Sequence, residues 1–165
     1  MADDLPRLDD LPIPDDAKPG RGWTPFMLEM AAHIGATNTL RLVDHFGGQK
    51  IYVPIAVEKS PFADVLPTET VETLARVYGR EKVEFPTARE ALFRARGAPV
   101  IAAVREKRLA RNDAARILRT SARYISQLAN DTDDEPDGRV FVLRRPVDTR
   151  QLEMFPDPAA PAPPD

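Results

Sequence analysis

The chain reads as a mainly α protein with short β-strands, its N-terminal helical and β-ribbon part followed by a helix-turn-helix. Three observations predict this. Apolar residues recur at helical spacing between capping signals over much of residues 24–129. Two brief β-branched and aromatic runs, at 50–53 and 82–85, interrupt the helical pattern. Residues 109–128 place small, apolar and capping residues as two closely crossing helices need them. A length of 165 residues fits one domain with a real core.

The organisation follows from composition. Residues 1–21 hold six aspartates against Arg7, Lys18 and Arg21, and prolines punctuate them. Such a lead is expected to stay disordered, because it offers too little apolar surface to offset its ordering entropy. Residues 22–97 form a helix and β-ribbon dimerisation region, 98–130 the helix-turn-helix region, and 131–165 an acidic linker with a proline- and alanine-rich mobile tail. A possible strand lies at 139–145.

At the start of the body, Thr24 is a good N-cap, Pro25 suits the first helical position, and Trp23 can staple onto Leu28. Phe26, Met30 and Ile34 follow at helical spacing, and Gly35 ends the helix. Thr37 or Asn38 is then expected to cap a second helix bearing Leu42, Val43 and Phe46, stopped by Gly47 and Gly48. Lys50, Ile51, Tyr52 and Val53, closed by Pro54, read as a short edge-type strand.

A repeat appears at a shift of 32 residues. Leu42, Gly47, Lys50, Pro54, Ala56 and Glu58 meet identical residues at Leu74, Gly79, Lys82, Pro86, Ala88 and Glu90. Both copies read helix, glycine, short strand, proline. The strands can pair within one chain or across a dimer. Beyond Pro86, Thr87 and Glu90 have capping-box spacing, which predicts a helix over 88–96; Gly97 is expected to break it and Pro99 to restart it.

The helix-turn-helix reading rests on Ala115 as the small residue at the crossing, on Ile117 or Leu118, Ile125 and Leu128 as the apolar contacts, and on Ser121 as the cap of the second helix. Ala122, Arg123, Ser126 and Gln127 then face away from the buried side. Arginine and glutamine there suit the edges of guanine and adenine. Arg111, Arg119 and Thr120 are expected near phosphates. Two departures stand out: Arg119 occupies the turn position that usually carries glycine, and Ala110 opens the first helix without a hydroxyl cap. The window from Arg94 to Arg123 holds nine basic residues against Glu106 and Asp113, a net +7 inside a chain of net −3. That asymmetry points to a polyanion such as double-stranded DNA. A solvated helix face and an ordinary αα-hairpin are the structural alternatives.

Other chemistry is sparse. Without cysteine there is no disulfide, thiolate metal site or cysteine nucleophile. His33 and His45, twelve residues apart, fit no common metal spacing. No glycine-rich phosphate loop and no Ser/His/Asp set occurs, so the chain is expected to be no enzyme and to carry no cofactor or metal. With no secretion signal and no long apolar run, the expected location is the cytoplasm, without membrane association.

The run from Leu42 through Gly47, Gly48, Lys50, Ile51, Tyr52 and Val53 to Pro54 resembles the Mor family of phage transcription activators, in which a helix ending in a double glycine leads into an Ile-Tyr-Ile/Val-Pro strand. The resemblance covers roughly residues 27–130, and a helix-turn-helix C-terminal to the strand fits it. It implies a homodimer with Lys50, Ile51, Tyr52 and Val53 in an intersubunit ribbon and with 121–129 as the recognition helix. It also implies a nucleoid-associated activator of a phage or prophage in a bacterial host, touching DNA and the host RNA polymerase. The second strand, the longer spacing to the helix-turn-helix and everything after Asp131 depart from the family pattern. Separately, Gln151, Leu152, Met154 and Phe155 resemble the pentapeptide by which bacterial replication and repair proteins dock on the DNA sliding clamp. A clamp-docking adaptor or inhibitor, and a phage assembly protein, are therefore the alternative functions.

Overall fold

The computed structural model describes residues 5–131. The elements run α1 (Pro25–Ile34), α2 (Ala36–Phe46), β1 (Lys50–Tyr52), α3 (Thr68–Tyr78), β2 (Lys82–Glu84), α4 (Arg89–Arg105), α5 (Arg111–Ile117) and α6 (Ala122–Asn130). The fold among these residues is mainly helical with one small two-stranded antiparallel sheet. The possible strand at 139–145 and the motif at 151–155 lie outside the described residues.

Local chemistry explains the first helices. Thr24 has extended backbone, and its Oγ1 accepts the Met27 N–H at 3.3 Å, with Pro25 at the first helical position. Leu28 stays 46% exposed, and Trp23 packs on the first core. Gly35, at φ 85°, ends α1 through its N–H to the Ala31 carbonyl and starts α2 directly. Neither Thr37 nor Asn38 is the cap, because a glycine in that conformation joins two helices without a spacer. Asn38 Nδ2 donates to the Ile34 carbonyl at 2.9 Å, and the Thr37 hydroxyl donates to the Pro14 carbonyl at 2.9 Å.

The 32-residue repeat is built into the backbone. α2 and α3 both have 11 residues, and every bound of α2 and β1 recurs 32 positions later in α3 and β2. β1 and β2 pair with each other, Lys50 opposite Glu84, Ile51 opposite Val83 and Tyr52 opposite Lys82. The bonds flanking the ladder obey the same shift: Gly48 N–H to Phe85 O at 2.7 Å matches Arg80 N–H to Val53 O at 2.8 Å. Phe85 N–H to Gln49 O and Val53 N–H to Glu81 O, both 2.9 Å, form the second matched pair. Gly48 (φ 79°) and Arg80 (φ 72°) occupy equivalent left-handed positions. Gly47 and Gly79, at φ −52° and −55°, are glycines for a steric reason. A Cβ on either would collide with the carbonyl oxygen four residues earlier, of Val43 or Ala75.

Behind the ribbon lies the first core, where Met27, Met30, Leu40, Leu42, Phe62, Val71, Leu74 and Phe85 are buried. Phe46, Phe62 and Phe85 form an aromatic triangle with centroid separations of 5.2, 5.8 and 5.9 Å. At its edge the Tyr78 hydroxyl donates to Glu29 Oε1 at 3.4 Å. Burial, and then the Glu29 carboxylate, push the Tyr78 pKa from 10.0 up to about 12. The unfolded chain therefore releases this proton first as pH rises. Stability from this residue is complete below pH 10 and is lost between pH 10 and about 12. Tyr78→Phe should flatten that alkaline decline in urea midpoints; an unchanged slope would count against the assignment.

Three expectations are corrected. The lead is ordered from Leu5 onward: Leu5, Leu8 and Leu11 pack on a second core, while Ile13 and Ala17 pack on the first. Arg41 holds Asp15 at 3.0 Å. Composition misleads here because a few well-placed leucines suffice when a preformed surface receives them. The helix after Pro86 starts at Arg89, with Ala88 left-handed at φ 38° and no side-chain cap, so Thr87 does not close a capping box. Glu90 instead lies 3.4 Å from both Arg94 and Arg21. Finally, α4 runs unbroken through Gly97 and Pro99, and the expected boundary between 97 and 98 falls inside it. Burial of Val100, Ile101 and Val104 compensates the helix bond that Pro99 cannot donate.

Candidate nucleic-acid interface

The second core gathers the C-terminal half of α4 with α5 and α6: Val100, Ile101, Val104, Ala114, Ala115, Ile117, Leu118, Ile125 and Leu128. Ala115, Ile117, Leu118, Ile125 and Leu128 are all buried. Ser121 caps α6 with extended backbone, its Oγ accepting the Tyr124 N–H at 3.1 Å. Ala110 opens α5 with no side-chain bond.

The turn resolves the difficulty posed by Arg119. Leu118 ends α5, Arg119 takes φ 53°, and two bonds close the turn: Thr120 N–H to Ala115 O at 3.0 Å and Arg119 N–H to Arg116 O at 3.3 Å. This is a Schellman motif with arginine where glycine is usual. A left-handed non-glycine residue costs roughly 1–2 kcal/mol. The end of α4 repeats the device, with Lys107 at φ 59°, Arg108 N–H bonded to Ala103 O at 2.8 Å and Lys107 N–H bonded to Val104 O at 3.1 Å. Both strained residues are exposed cations.

Along α6, Arg123, Gln127 and Asn130 are exposed at i, i+4 and i+7, opposite buried Ile125 and Leu128. Ala122 and Ser126 are half-buried, and the Ser126 hydroxyl donates to the Ala122 carbonyl at 3.0 Å. Ser121 spends its oxygen on the cap. Arg111 and Arg119 are exposed and Thr120 is half-buried. Asn130 is not among the residues expected from the sequence, although continuing the stripe by one more turn points to it.

The +7 window separates into two classes. Arg94 pairs with Glu90 and Arg108 with Glu106, and Arg96 pairs with Asp44 at 2.8 Å. Arg105 donates to the carbonyls of Leu128 (3.1 Å), Ala129 (3.0 Å) and Asp131 (2.5 Å), closing the C-terminus of α6. Lys107, Arg111, Arg116, Arg119 and Arg123 make no ion pair among the described residues. These five lie just before α5, on it, in the turn and at the start of α6. The capping role of Arg105 has no local signal, because its partners are 23 to 26 residues away.

Tyr124 packs on Phe93 with centroids 6.2 Å apart, and Gly97 leaves room for Leu118, whose Cδ1 would stand 3.4 Å from an added Cβ. The α5–α6 pair is thus seated on α4 by close contact. His33 and His45 are exposed on α1 and α2. No helix among the described residues is long and apolar enough to cross a membrane. No protein-family model, curated protein or solved structure matches this chain.

Proposed function

We propose that this protein is a sequence-specific DNA-binding transcription regulator of phage or prophage origin, an activator, which binds double-stranded DNA as a homodimer through α5 and α6. The observation that carries the reading is the set of five exposed cations between Lys107 and Arg123 without an ion pair among the described residues, while the other arginines of the same window are engaged internally. Unpaired exposed cations in one cluster are what phosphate neutralisation needs. Arg123 and Gln127 face solvent with the side chains that recognise guanine and adenine edges, and Asn130 adds a second adenine-type reader. The left-handed Lys107 and Arg119 support the same reading, since strain retained at an exposed cation fits a functional demand on its charge.

The test is a titration of full-length protein against duplex DNA over a salt series. Arg123→Ala should weaken binding to a preferred sequence by roughly 1–3 kcal/mol and relax the preference at one base pair. Arg119→Ala should instead weaken all sequences alike and reduce the salt slope by about 1. Absence of binding at low salt would remove the proposal.

A second reading rests on Gln151, Leu152, Met154 and Phe155, whose resemblance to the sliding-clamp peptide supports an adaptor that docks on the replication machinery. Those residues lie outside the described part of the chain.

A further inference from the structure

We propose that, when no DNA is bound, the cations between Lys107 and Arg123 are covered by this chain's own acidic segment, residues 131–137. This rests on the DNA-binding reading above and names what holds the same surface before DNA arrives. Charge and tether length carry it. Lys107, Arg111, Arg116, Arg119 and Arg123 are exposed and make no ion pair among the described residues. The carboxylates already placed near them do not serve: Asp113 on α5, and Asp9 and Asp10 beside the leucines that pack on the same core, pair with none of the five. Directly after α6 the chain carries Asp131, Asp133, Asp134, Glu135 and Asp137, with no cation before Arg139. Residues 132–137 lie outside the described part of the chain.

The point from which this segment departs is fixed. Arg105 donates to the carbonyls of Leu128, Ala129 and Asp131, which holds Asp131 against the end of α4, two residues before Lys107. From there the nine residues of α6 run back to Ala122, a length of about 13 Å. Six residues beyond Asp131 span up to about 20 Å when extended. The run can therefore reach Lys107 beside its origin and Arg123 at the far end of α6.

A single exposed ion pair contributes little, and salt screens it. Several pairs on one short tether act together, because the tether holds the acidic run at a high effective concentration beside the cations. Duplex DNA carries a denser array of charge and displaces the run, whereas a weaker polyanion must compete with it.

The experiment treats full-length protein, without DNA, with a water-soluble carbodiimide and identifies the cross-linked peptides by mass spectrometry. The reagent activates a carboxylate, and an amine in contact with it displaces the activating group to form an amide. Lys107 is the one amine among the five cations. The expected product joins Lys107 to Asp133, Asp134, Glu135 or Asp137 of the same chain. It should disappear when duplex DNA is added, and near 1 M salt, where the screening length falls to about 3 Å. The variant carrying D133N, D134N, E135Q and D137N should bind duplex DNA on the order of tenfold tighter at low salt, with a steeper salt dependence. No such product at low salt, products that join two differently labelled chains, or unchanged affinity in the variant would overturn this inference while leaving the DNA-binding reading intact. The product formed by a protein that binds no DNA, with or without the four substitutions, would instead remove the DNA-binding reading and leave the contact standing.

Discussion

Phe62→Ala is expected to lose about 3–5 kcal/mol of folding stability, the usual range for deleting a buried phenyl ring. Phe62 is fully buried, and its ring meets Phe46 at 5.2 Å and Phe85 at 5.9 Å in edge-on geometry. Its carbonyl also accepts the N–H groups of Val65 and Leu66, which fixes the backbone around the cavity and limits collapse after truncation. The predicted loss is a large share of the roughly 5–15 kcal/mol available to a typical domain. Urea unfolding of Phe62→Ala and Phe62→Leu against the parent measures it. A loss below about 1 kcal/mol for the alanine variant would mean that the site refills, contrary to the packing described.

The second large effect is placed in the other core. Ile125 is fully buried on α6 among Val104, Ala114 and Leu118, and Ile125→Ala should cost about 2–5 kcal/mol there. Trp23 packs on the first core and provides a separate signal. Amide exchange in α6 should accelerate on the order of 30-fold or more, while the unfolding midpoint reported by Trp23 moves less. DNA affinity should fall with it, since the open form presents no ordered Arg123 and Gln127. Equal shifts in both signals would show that the two cores unfold as one unit.

Much of the fold is legible in the sequence because it is local. Thr24 and Pro25 announce α1, Ser121 announces α6, and Leu42, Val43 and Phe46 mark the buried side of α2. The 32-residue identities locate both strands, since the shift preserves the glycine, strand and proline order that ends each helix. The hidden part depends on distant partners. Phe62 lies between prolines in a stretch without a period, and only the aromatic pair from both repeats makes it core. Arg105 is only one more charge of the +7 window until α6 is set beside it. Pro99 looks like a helix start because local rules weigh a lost hydrogen bond and omit the burial of Val100 and Ile101. The exposure of Arg123 and Gln127 is readable from their spacing, whereas the separation of paired from unpaired arginines needs the tertiary structure.

The ordered lead has a mechanical meaning. Leu5, Leu8 and Leu11 grip the core beneath α5 and α6, Ile13 and Ala17 grip the core behind the ribbon, and Thr37 and Arg41 hold Pro14 and Asp15. Without it, α4 would be the helix that joins the two cores among the described residues, like a single spar free to flex or twist about its axis. The lead adds a parallel brace, so torque on the α5–α6 pair reaches the ribbon by two routes. If the chain binds DNA as proposed, bending forces from the duplex would turn the whole body as a rigid lever instead of swivelling the α5–α6 pair at α4.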